Sequence, residues 1–260
     1  MQKALCTAVE IFDPKNSCMK GIIVAALLLF SFTMHAQQKQ DSVQVFNAGI
    51  NGNNTDNLLK RLDRDVRSRD PDLVILMVGT NDIMHPNKSL SIQQYESNYQ
   101  QLIERIRKKA HLILMTIPPI YTPYVIKRKP QFNGDEKALQ SRMDSANQVI
   151  CHLAEKNRLP LIDMNRILTA AGGANTDKDG LFQNEANFGI ADGVHPVAAG
   201  CMVIAAAVYQ TILGYKPKSK IIVCFGDSIT KGYRLKGEGT TEGDTYPAVL
   251  KRMLNGEAEN

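Results

Sequence analysis

Residues 73–82 read LVILMVGTND, a run of six apolar residues that ends at Gly79 and continues into three polar residues. A short apolar run that stops at a glycine is typical of a strand buried on both faces of a parallel sheet. Comparable runs occur at 43–47 (VQVFN), 111–117 (HLILMTI), 159–162 (LPLI) and 221–225 (IIVCF). We therefore predict five strands.

Helical patterns separate these runs. The segment 55–69 is amphipathic, and we predict further helices at 92–110, 136–157, 197–213 and 245–254. Strands that alternate with helices predict an α/β domain with a parallel sheet. In such sheets the functional groups gather beyond the carboxyl ends of the strands, so the loops after the apolar runs are the places to search. The stretches 118–135 and 171–189 have no clear period and are predicted to be irregular.

The composition fits one ordinary globular domain. The chain has 260 residues, 43% of them apolar and 22% charged, with a net charge of +5. Its basic residues are interleaved with acids, as in 60–67 (KRLDRDVR), which favours a solvated helix face over a nucleic-acid partner. Cys151, Cys201 and Cys224 lie in apolar stretches, so we predict core positions for them and no zinc site.

The segment from Met19 to Ala36 resembles a signal peptide. Lys20 precedes the apolar stretch 21–32, and a polar stretch, QQKQDS, follows at 37–42. The apolar stretch is too short to cross a bilayer as a helix. We predict a lead and signal peptide over 1–40, a single domain over 41–260, a secreted or periplasmic location, and no stable membrane insertion after the signal is removed.

Ser228 follows the last predicted strand directly, in the sequence FGDS. A serine at the carboxyl end of a buried strand is well placed to present its hydroxyl as a nucleophile. Gly-Asp-Ser is also ordinary turn chemistry, so the tripeptide alone is weak evidence.

Asp192 and His195 stand three residues apart in DGVHP, ahead of an apolar helix pattern. One loop with this spacing delivers both a base and the carboxylate that orients it. The alternative is that Asp192 only forms a turn and His195 only precedes the helix.

Gly52 and Asn81 are candidate hydrogen-bond donors after two other strands. Gly52 lets a backbone amide approach a ligand closely, and the side chain of Asn81 carries an amide that donates. The alternatives are a tight turn at Gly52 and a strand-end turn at Asn81.

Together these stretches resemble the four blocks of the SGNH (GDSL) hydrolase family: FGDSIT at 225–230, NAGING at 47–52, GTND at 79–82 and DGVHP at 192–196. The resemblance implies that Ser228 is the nucleophile, His195 the base and Asp192 its orienting acid. It also implies an oxyanion hole formed by Ser228, Gly52 and Asn81. The implied fold is a three-layer α/β/α, flavodoxin-like domain that needs no metal or organic cofactor.

The order of the blocks departs from the family, in which the serine block comes first. Here it comes last, which suggests a circular permutation with 214–220 as the linker. In the usual strand order 2-1-3-4-5, the last strand of this chain would lie between its first and second strands. The alternative is a piece of a tandem or misassembled gene, with Ser228 belonging to a second, shortened domain.

The expected reaction is hydrolysis of a carboxylic ester through an acyl-serine, with a small-molecule, carbohydrate or lipid ester as substrate. Within that class a carbohydrate O-acetylesterase, a lipase/acylhydrolase, a lysophospholipase and a thioesterase all remain open. A non-catalytic binding protein is the alternative, whereas the absence of GxxxxGK[ST] and GxGxxG speaks against a phosphate-binding module. We also expect substrate contacts from Tyr121, Tyr124 and the basic stretch at Lys127, and His85 at the border of the pocket.

Overall fold

The computed structural model describes residues 42–257, apart from 86, 88, 133 and 216–218. The predicted signal peptide therefore lies outside the described residues.

Five parallel strands form one sheet. They are β1 (Gln44–Gly49), β2 (Leu73–Met77), β3 (His111–Met115), β4 (Leu161–Ile162) and β5 (Ile221–Gly226). Their order is β1-β5-β2-β3-β4, so the last strand of the chain pairs with both of the first two. This confirms the predicted α/β class and the predicted place of the last strand.

Helices cover both faces of the sheet. In chain order they are α1 (Thr55–Asp65), α2 (Thr80–Met84), α3 (Ile92–Arg107), α4 (Thr122–Arg128), α5 (Glu136–Asn157), α6 (Met164–Ala170), α7 (Glu185–Phe188), α8 (Ala198–Tyr215), α9 (Ser228–Lys231) and α10 (Tyr246–Asn255). Single turns of 3-10 helix lie at Arg67–Arg69 and Pro130–Phe132.

The core has two halves because side chains along a strand point alternately to opposite faces. On one face, Val74 and Leu76 of β2 pack with apolar residues of α1, α3 and α5. On the other face, Leu73, Ile75 and Met77 pack with residues of α6, α8 and α10. The result is the expected three-layer α/β/α arrangement, in which every residue of β2 is buried.

Helix α8 is the one helix in the described part of the chain that is long and apolar enough to cross a membrane by length and composition. It lies along the sheet, with Cys201, Ile204 and Val208 fully buried in the core. Its apolar character is thus used in packing against α10, α6 and β4.

Several sequence predictions were wrong in detail. The stretch 118–135 contains α4, with Pro123 in its first turn, where the missing amide costs no hydrogen bond. The stretch 171–189 contains the single turn α7, capped by Asn184. Helix α8 extends to Tyr215 and so into the predicted linker. Short helices carry too few residues to show a period, which is why the pattern missed them.

The prediction of core positions for the three cysteines was only partly right. Cys201 and Cys224 are fully buried, and this burial raises the pKa of each thiol to about 12. Cys151 is half-buried on α5, so the prediction of a core position was wrong there.

Candidate active site

Ser228 lies at the carboxyl edge of the sheet, where β5 gives way to α9. Asp227 caps this helix, because its Oδ1 accepts a hydrogen bond from the Ile229 amide at 2.9 Å. Ser228 is the first residue of the helix, and its side chain is only slightly exposed. A first-turn amide has no partner within its own helix, so it remains available as a donor.

His195 connects the serine to the acid of its own loop. Its Nε2 lies 2.9 Å from Ser228 Oγ, and its Nδ1 lies 2.9 Å from Asp192 Oδ1. The same oxygen of Asp192 accepts hydrogen bonds from the backbone amides of Val194 and His195, at 2.9 and 2.8 Å. Asp192 thus forms a turn, as in the alternative interpretation of the sequence, and also contacts the imidazole of His195. One carboxylate serves both purposes.

The carboxyl group of Asp192 stays ionised far below neutral pH. Burial opposes its ionisation, but the hydrogen bonds from His195 and from the two backbone amides outweigh burial and lower its pKa to about 2. An ionised Asp192 holds the Nδ1 proton of His195, which leaves Nε2 to accept a proton from Ser228 Oγ.

Gly52 and Asn81 face the same cleft as Ser228 and His195. Gly52 has a φ of +68°, a left-handed conformation that glycine adopts without strain. Asn81 Nδ2 donates to the Asn53 carbonyl at 2.8 Å, and an amide nitrogen carries a second hydrogen. The structure therefore brings together all five residues that the sequence singled out.

Two neighbours of His195 were missed as site residues. Arg128, at the end of α4, places Nη1 3.5 Å from Asp192 Oδ2, and its Nη2 donates to the Asp192 carbonyl. Tyr233 packs its ring against the imidazole, with the ring centroids 4.6 Å apart. Arg128 belongs to the basic stretch noted around Lys127, whereas no pattern in the sequence pointed to Tyr233.

Arg61 is the exception to the predicted solvated face on α1, where Lys60, Asp63 and Arg64 are exposed. It is almost fully buried, and its guanidinium donates to the carbonyls of Gly226 and Ala48 at 2.6 and 3.0 Å. It also lies 4.6 Å over the Phe225 ring and pairs with Asp65 at 2.7 Å. Arg61 therefore fixes the end of β5, immediately before the serine.

Two further carboxyl groups are buried, that of Asp227, next to Ser228 in the chain, and that of Asp82 on α2, which feels the charge of Asp227. Asp82 accepts hydrogen bonds from the amide and the hydroxyl of Thr55, at 3.0 and 2.5 Å. Burial raises the pKa of Asp82 to about 7 and that of Asp227 to about 6. The pKa of each is thus raised, whereas that of Asp192 is lowered, because burial outweighs the hydrogen bonds that Asp82 and Asp227 accept.

The cleft in front of Ser228 has a volume of about 650 Å³. His85 lines it, as expected, together with Arg128, Lys129 and Arg234. Of the stretches expected to contact substrate, Arg128 and Lys129 of the basic stretch line the cleft, whereas Tyr121, Tyr124 and Lys127 are not among its lining residues. The two tyrosine rings pack against each other, and the Tyr124 hydroxyl donates to Glu185.

Within the described ranges, no group of three or more histidine, cysteine or acidic side chains is arranged to hold a metal ion.

Comparisons with known proteins identify the family. The model of the GDSL-like lipase/acylhydrolase family matches residues 31–202, well over half of the chain. The match includes Gly52, Asn81, Asp192 and His195 and ends before Ser228.

Individual relatives point the same way. The acetylxylan esterase of Geobacillus stearothermophilus is 24% identical over 181 residues, which are 65% of this chain and 72% of the relative. The uncharacterized lipoprotein YqeF of Bacillus subtilis (strain 168) is 26% identical over 152 residues, 54% of this chain and 63% of the relative. A solved structure of an acetyl xylan esterase, AlAXEase, has the same fold, with a TM-score of 0.52, 23% identity, and coverage of 72% of this chain and 89% of the other. The protein therefore belongs to the GDSL-like lipase/acylhydrolase family and has the fold of the SGNH hydrolases.

Proposed function

We propose that this protein hydrolyses carboxylic esters, with Ser228 as the nucleophile, His195 as the general base and Asp192 as the acid that orients it. The observation that carries the proposal is the 2.9 Å contact between His195 Nε2 and Ser228 Oγ, two residues 33 positions apart in the chain. A nucleophile within hydrogen-bond reach of a base, itself held by a carboxylate, is the arrangement that acyl transfer requires.

In the first half-reaction, Ser228 Oγ attacks the ester carbonyl carbon while its proton moves to His195 Nε2. The tetrahedral intermediate then collapses, the bond from carbon to the alcohol oxygen breaks, and the alcohol leaves with the proton from His195. Water attacks the acyl-serine in the second half-reaction, gives its proton to Nε2, and the Ser228 oxygen leaves with that proton. One ester and one water yield one acid and one alcohol.

The oxyanion of each tetrahedral intermediate needs donors that are already in place. The proposed donors are the backbone amides of Ser228 and Gly52 and the second amide hydrogen of Asn81. Removal of one such donor typically lowers kcat by roughly 10²–10³-fold. The hydrogen bond from Asn81 to the Asn53 carbonyl orients that amide before substrate arrives.

Within this class, we place an O-acetyl ester of a carbohydrate first. The support is the sequence relation to a protein named acetylxylan esterase, at 24% identity over 65% of this chain. The family description, lipase/acylhydrolase, keeps longer acyl groups as the second candidate.

We infer a circular permutation from the position of the serine block. β5 fills the place between β1 and β2, so one chain completes the sheet, which favours permutation over a shortened second domain. Asn255, at the end of α10, exchanges two hydrogen bonds with the backbone of Val43, at 2.8 and 3.1 Å. The two points that the usual order would join are therefore neighbours. A chain reordered to run 219–257 and then 42–215 through a short loop should keep its activity, and a folded but inactive product would contradict this.

We also propose that the protein is exported. The support is the signal-like segment from Met19 to Ala36 and the relation to a lipoprotein of Bacillus subtilis. N-terminal sequencing of the native product tests this: a start within a few residues of position 37 is expected, and an intact segment 19–36 would contradict it.

The proposed reaction is tested with a panel of p-nitrophenyl esters of increasing acyl length. Turnover should fall by roughly 10⁴-fold or more in Ser228→Ala. Ser97→Ala, an exposed serine on α3, serves as the matched control and should retain wild-type rates. Equal rates in Ser228→Ala and the wild type would overturn the proposal.

A further inference from the structure

Two of the basic residues that line the cleft in front of Ser228 form no ion pair with an acid among the described residues. Lys129 and Arg234 both line it. Asp192 is the only acid among the lining residues, and it already contacts His195 and Arg128. In the described part of the chain, neither Lys129 nor Arg234 lies within 4.0 Å of a carboxylate as an ion pair.

The surroundings of Lys129 disfavour the charged form of its side chain. Its side chain is half-buried at the end of α4. Burial, together with the charge of Arg128, lowers the pKa of its ammonium. A cation in this position gains most from an anion that enters the cleft, since that anion restores the interactions lost on burial.

Arg234 follows Tyr233, whose ring packs on His195, and has an uncommon backbone conformation. Its φ is +64°, in the left-handed region that non-glycine residues seldom adopt. Its amide donates to Glu238 at 2.9 Å, and its guanidinium lies 5.0 Å from the centre of the Tyr233 ring. Because that ring packs on His195, the guanidinium is held on the histidine side of the cleft.

The position of Arg234 relative to His195 selects one part of the substrate. In the proposed reaction His195 protonates the departing alcohol oxygen, so the alcohol portion must lie next to the imidazole. Arg234 reaches this side through Tyr233, and Lys129 lines the same cleft. Gly52 and Asn81, by contrast, mark the side where the oxyanion forms.

We propose that the preferred substrate is an ester whose alcohol portion carries a negative charge, held by Lys129 and Arg234. The charged group is a carboxylate, as in an acylated sugar acid, or a phosphate, as in an acylated phosphate monoester. The inference rests on the proposed function, because it names the substrate class of the same site.

Three phenyl acetates, two charged and one neutral, measure the effect of substrate charge separately from that of substrate shape. The substrates are 4-acetoxybenzoate, its neutral counterpart 4-acetoxybenzamide, and 4-acetoxyphenyl phosphate, with each kcat/KM divided by the rate of alkaline hydrolysis of that ester. The wild type should prefer the charged esters by about tenfold or more, the size expected of a charge-assisted contact. Added salt should weaken this preference. The ratio between the benzoate and the phosphate identifies the anion.

Two double variants then assign the preference to the cleft. Lys129→Gln with Arg234→Gln should reduce the ratio of charged to neutral ester to near one. Lys127→Gln with Lys236→Gln removes the same charge from two exposed lysines that do not line the cleft, and it should retain the wild-type ratio.

The outcomes distinguish a failure of this inference from a failure of the proposed esterase function. Hydrolysis of all three esters without preference, or an equal loss of preference in both double variants, would overturn the inference and leave the esterase proposal standing. Folded wild-type protein that hydrolyses none of them, nor any ester of the p-nitrophenyl panel, would overturn the proposed function itself.

Discussion

The loop that carries Ser228 and the loop that carries His195 meet at one hydrogen bond, but the molecule holds them in different ways. We define the serine loop as residues 226–232 and the histidine loop as residues 190–197. The serine loop begins inside the sheet: Gly226 is paired with Gly49 of β1 and with Met77 of β2. Arg61 and the Ile50 amide both donate to the Gly226 carbonyl.

The histidine loop lies outside the sheet and is held by neighbouring loops. The amide of Gln183 donates to the His195 carbonyl, and the amide of Gly193 donates to the Gln183 carbonyl, each at 2.8 Å. Tyr121 donates its amide to the Gly193 carbonyl at 2.8 Å. Arg128 adds the contacts to Asp192 described above.

The difference indicates where mutations should act. Changes in the serine loop disturb a buried part of the sheet, so they should lower stability. Changes in the histidine loop disturb groups at the cleft, so they should lower activity and leave the fold in place. Four predictions, ordered from the largest expected effect to the smallest, test this division and the residues that support the two loops.

The largest effect is expected from His195→Ala in the histidine loop. Loss of the proposed base should lower kcat/KM by roughly 10⁴–10⁶-fold. The free energy of unfolding should change by only about 1 kcal/mol, the usual net value of one hydrogen bond. Steady-state kinetics and urea denaturation measure both quantities. His152→Ala, at an exposed position on α5, is the control. Activity retained in His195→Ala would contradict the expectation that changes in the histidine loop lower activity.

The next largest effect is expected from Gly226→Ala in the serine loop. A Cβ there would lie 2.3 Å from the Met77 carbonyl oxygen and 2.3 Å from Thr230 Oγ1. We expect the free energy of unfolding to fall by about 1–3 kcal/mol, the usual cost of overpacking. Gly214→Ala has open space around its Cβ and should not destabilise the protein. Equal stabilities of the two variants in urea would contradict the account.

A smaller effect is expected from Arg128→Gln. Without its guanidinium, Asp192 and His195 lose a contact that positions them, so kcat/KM should fall by roughly 10–100-fold, the size of a modest misplacement. Because the Arg128 side chain is 44% exposed, stability should change by less than about 0.5 kcal/mol. Lys127→Gln, on the same helix and away from the cleft, controls for the lost charge. A drop in Tm with unchanged kinetics would show that Arg128 is only structural.

The smallest effect is a difference in pH dependence between Asp82 on α2 and Asp192 in the histidine loop. Burial raises the pKa of Asp82 to about 7, so the folded state binds its proton more tightly than the unfolded state. The free energy of unfolding should therefore fall as pH rises from about 4 to 7. Asp192 has a pKa lowered to about 2, so its contribution should be complete above about pH 4 and lost as pH falls toward 2.

Urea denaturation at several pH values measures both trends. Asp82→Asn should reduce the fall between pH 4 and 7 and leave the part that Asp227 contributes below about pH 6, and Asp192→Asn should flatten the profile below pH 4. A wild-type profile that rises from pH 4 to 7 and is unaffected by Asp82→Asn would contradict the assignment of Asp82.

The same division explains what the sequence could predict. Strand β2 and helix α5 were predictable, because a buried strand is apolar throughout and a long helix shows its period over several turns. Ser228, His195, Asp192, Gly52 and Asn81 were predictable because each stands in a short motif after a strand or before a helix.

The supports of the site were less predictable. Arg128 and Tyr233 act through contacts that form only when distant parts of the chain meet, and neither stands in a motif. Arg61 was misjudged because its charge favours solvent, while the carbonyls of Gly226 and Ala48 compensate for its burial. Short helices such as α4 depend on caps and on packing, so periodicity could not reveal them.

The central claim is that the last strand of the chain delivers the nucleophile to a site built from earlier segments. Labelling with a fluorophosphonate tests it most directly, since the reagent bonds to an activated serine oxygen and releases fluoride. The tryptic peptide 221–231 contains one serine, Ser228. We expect the adduct on this peptide in the wild type, with loss of esterase activity, and no adduct in His195→Ala. An adduct on another serine that abolishes hydrolysis, or labelling of Ser228 that leaves hydrolysis intact, would contradict the claim.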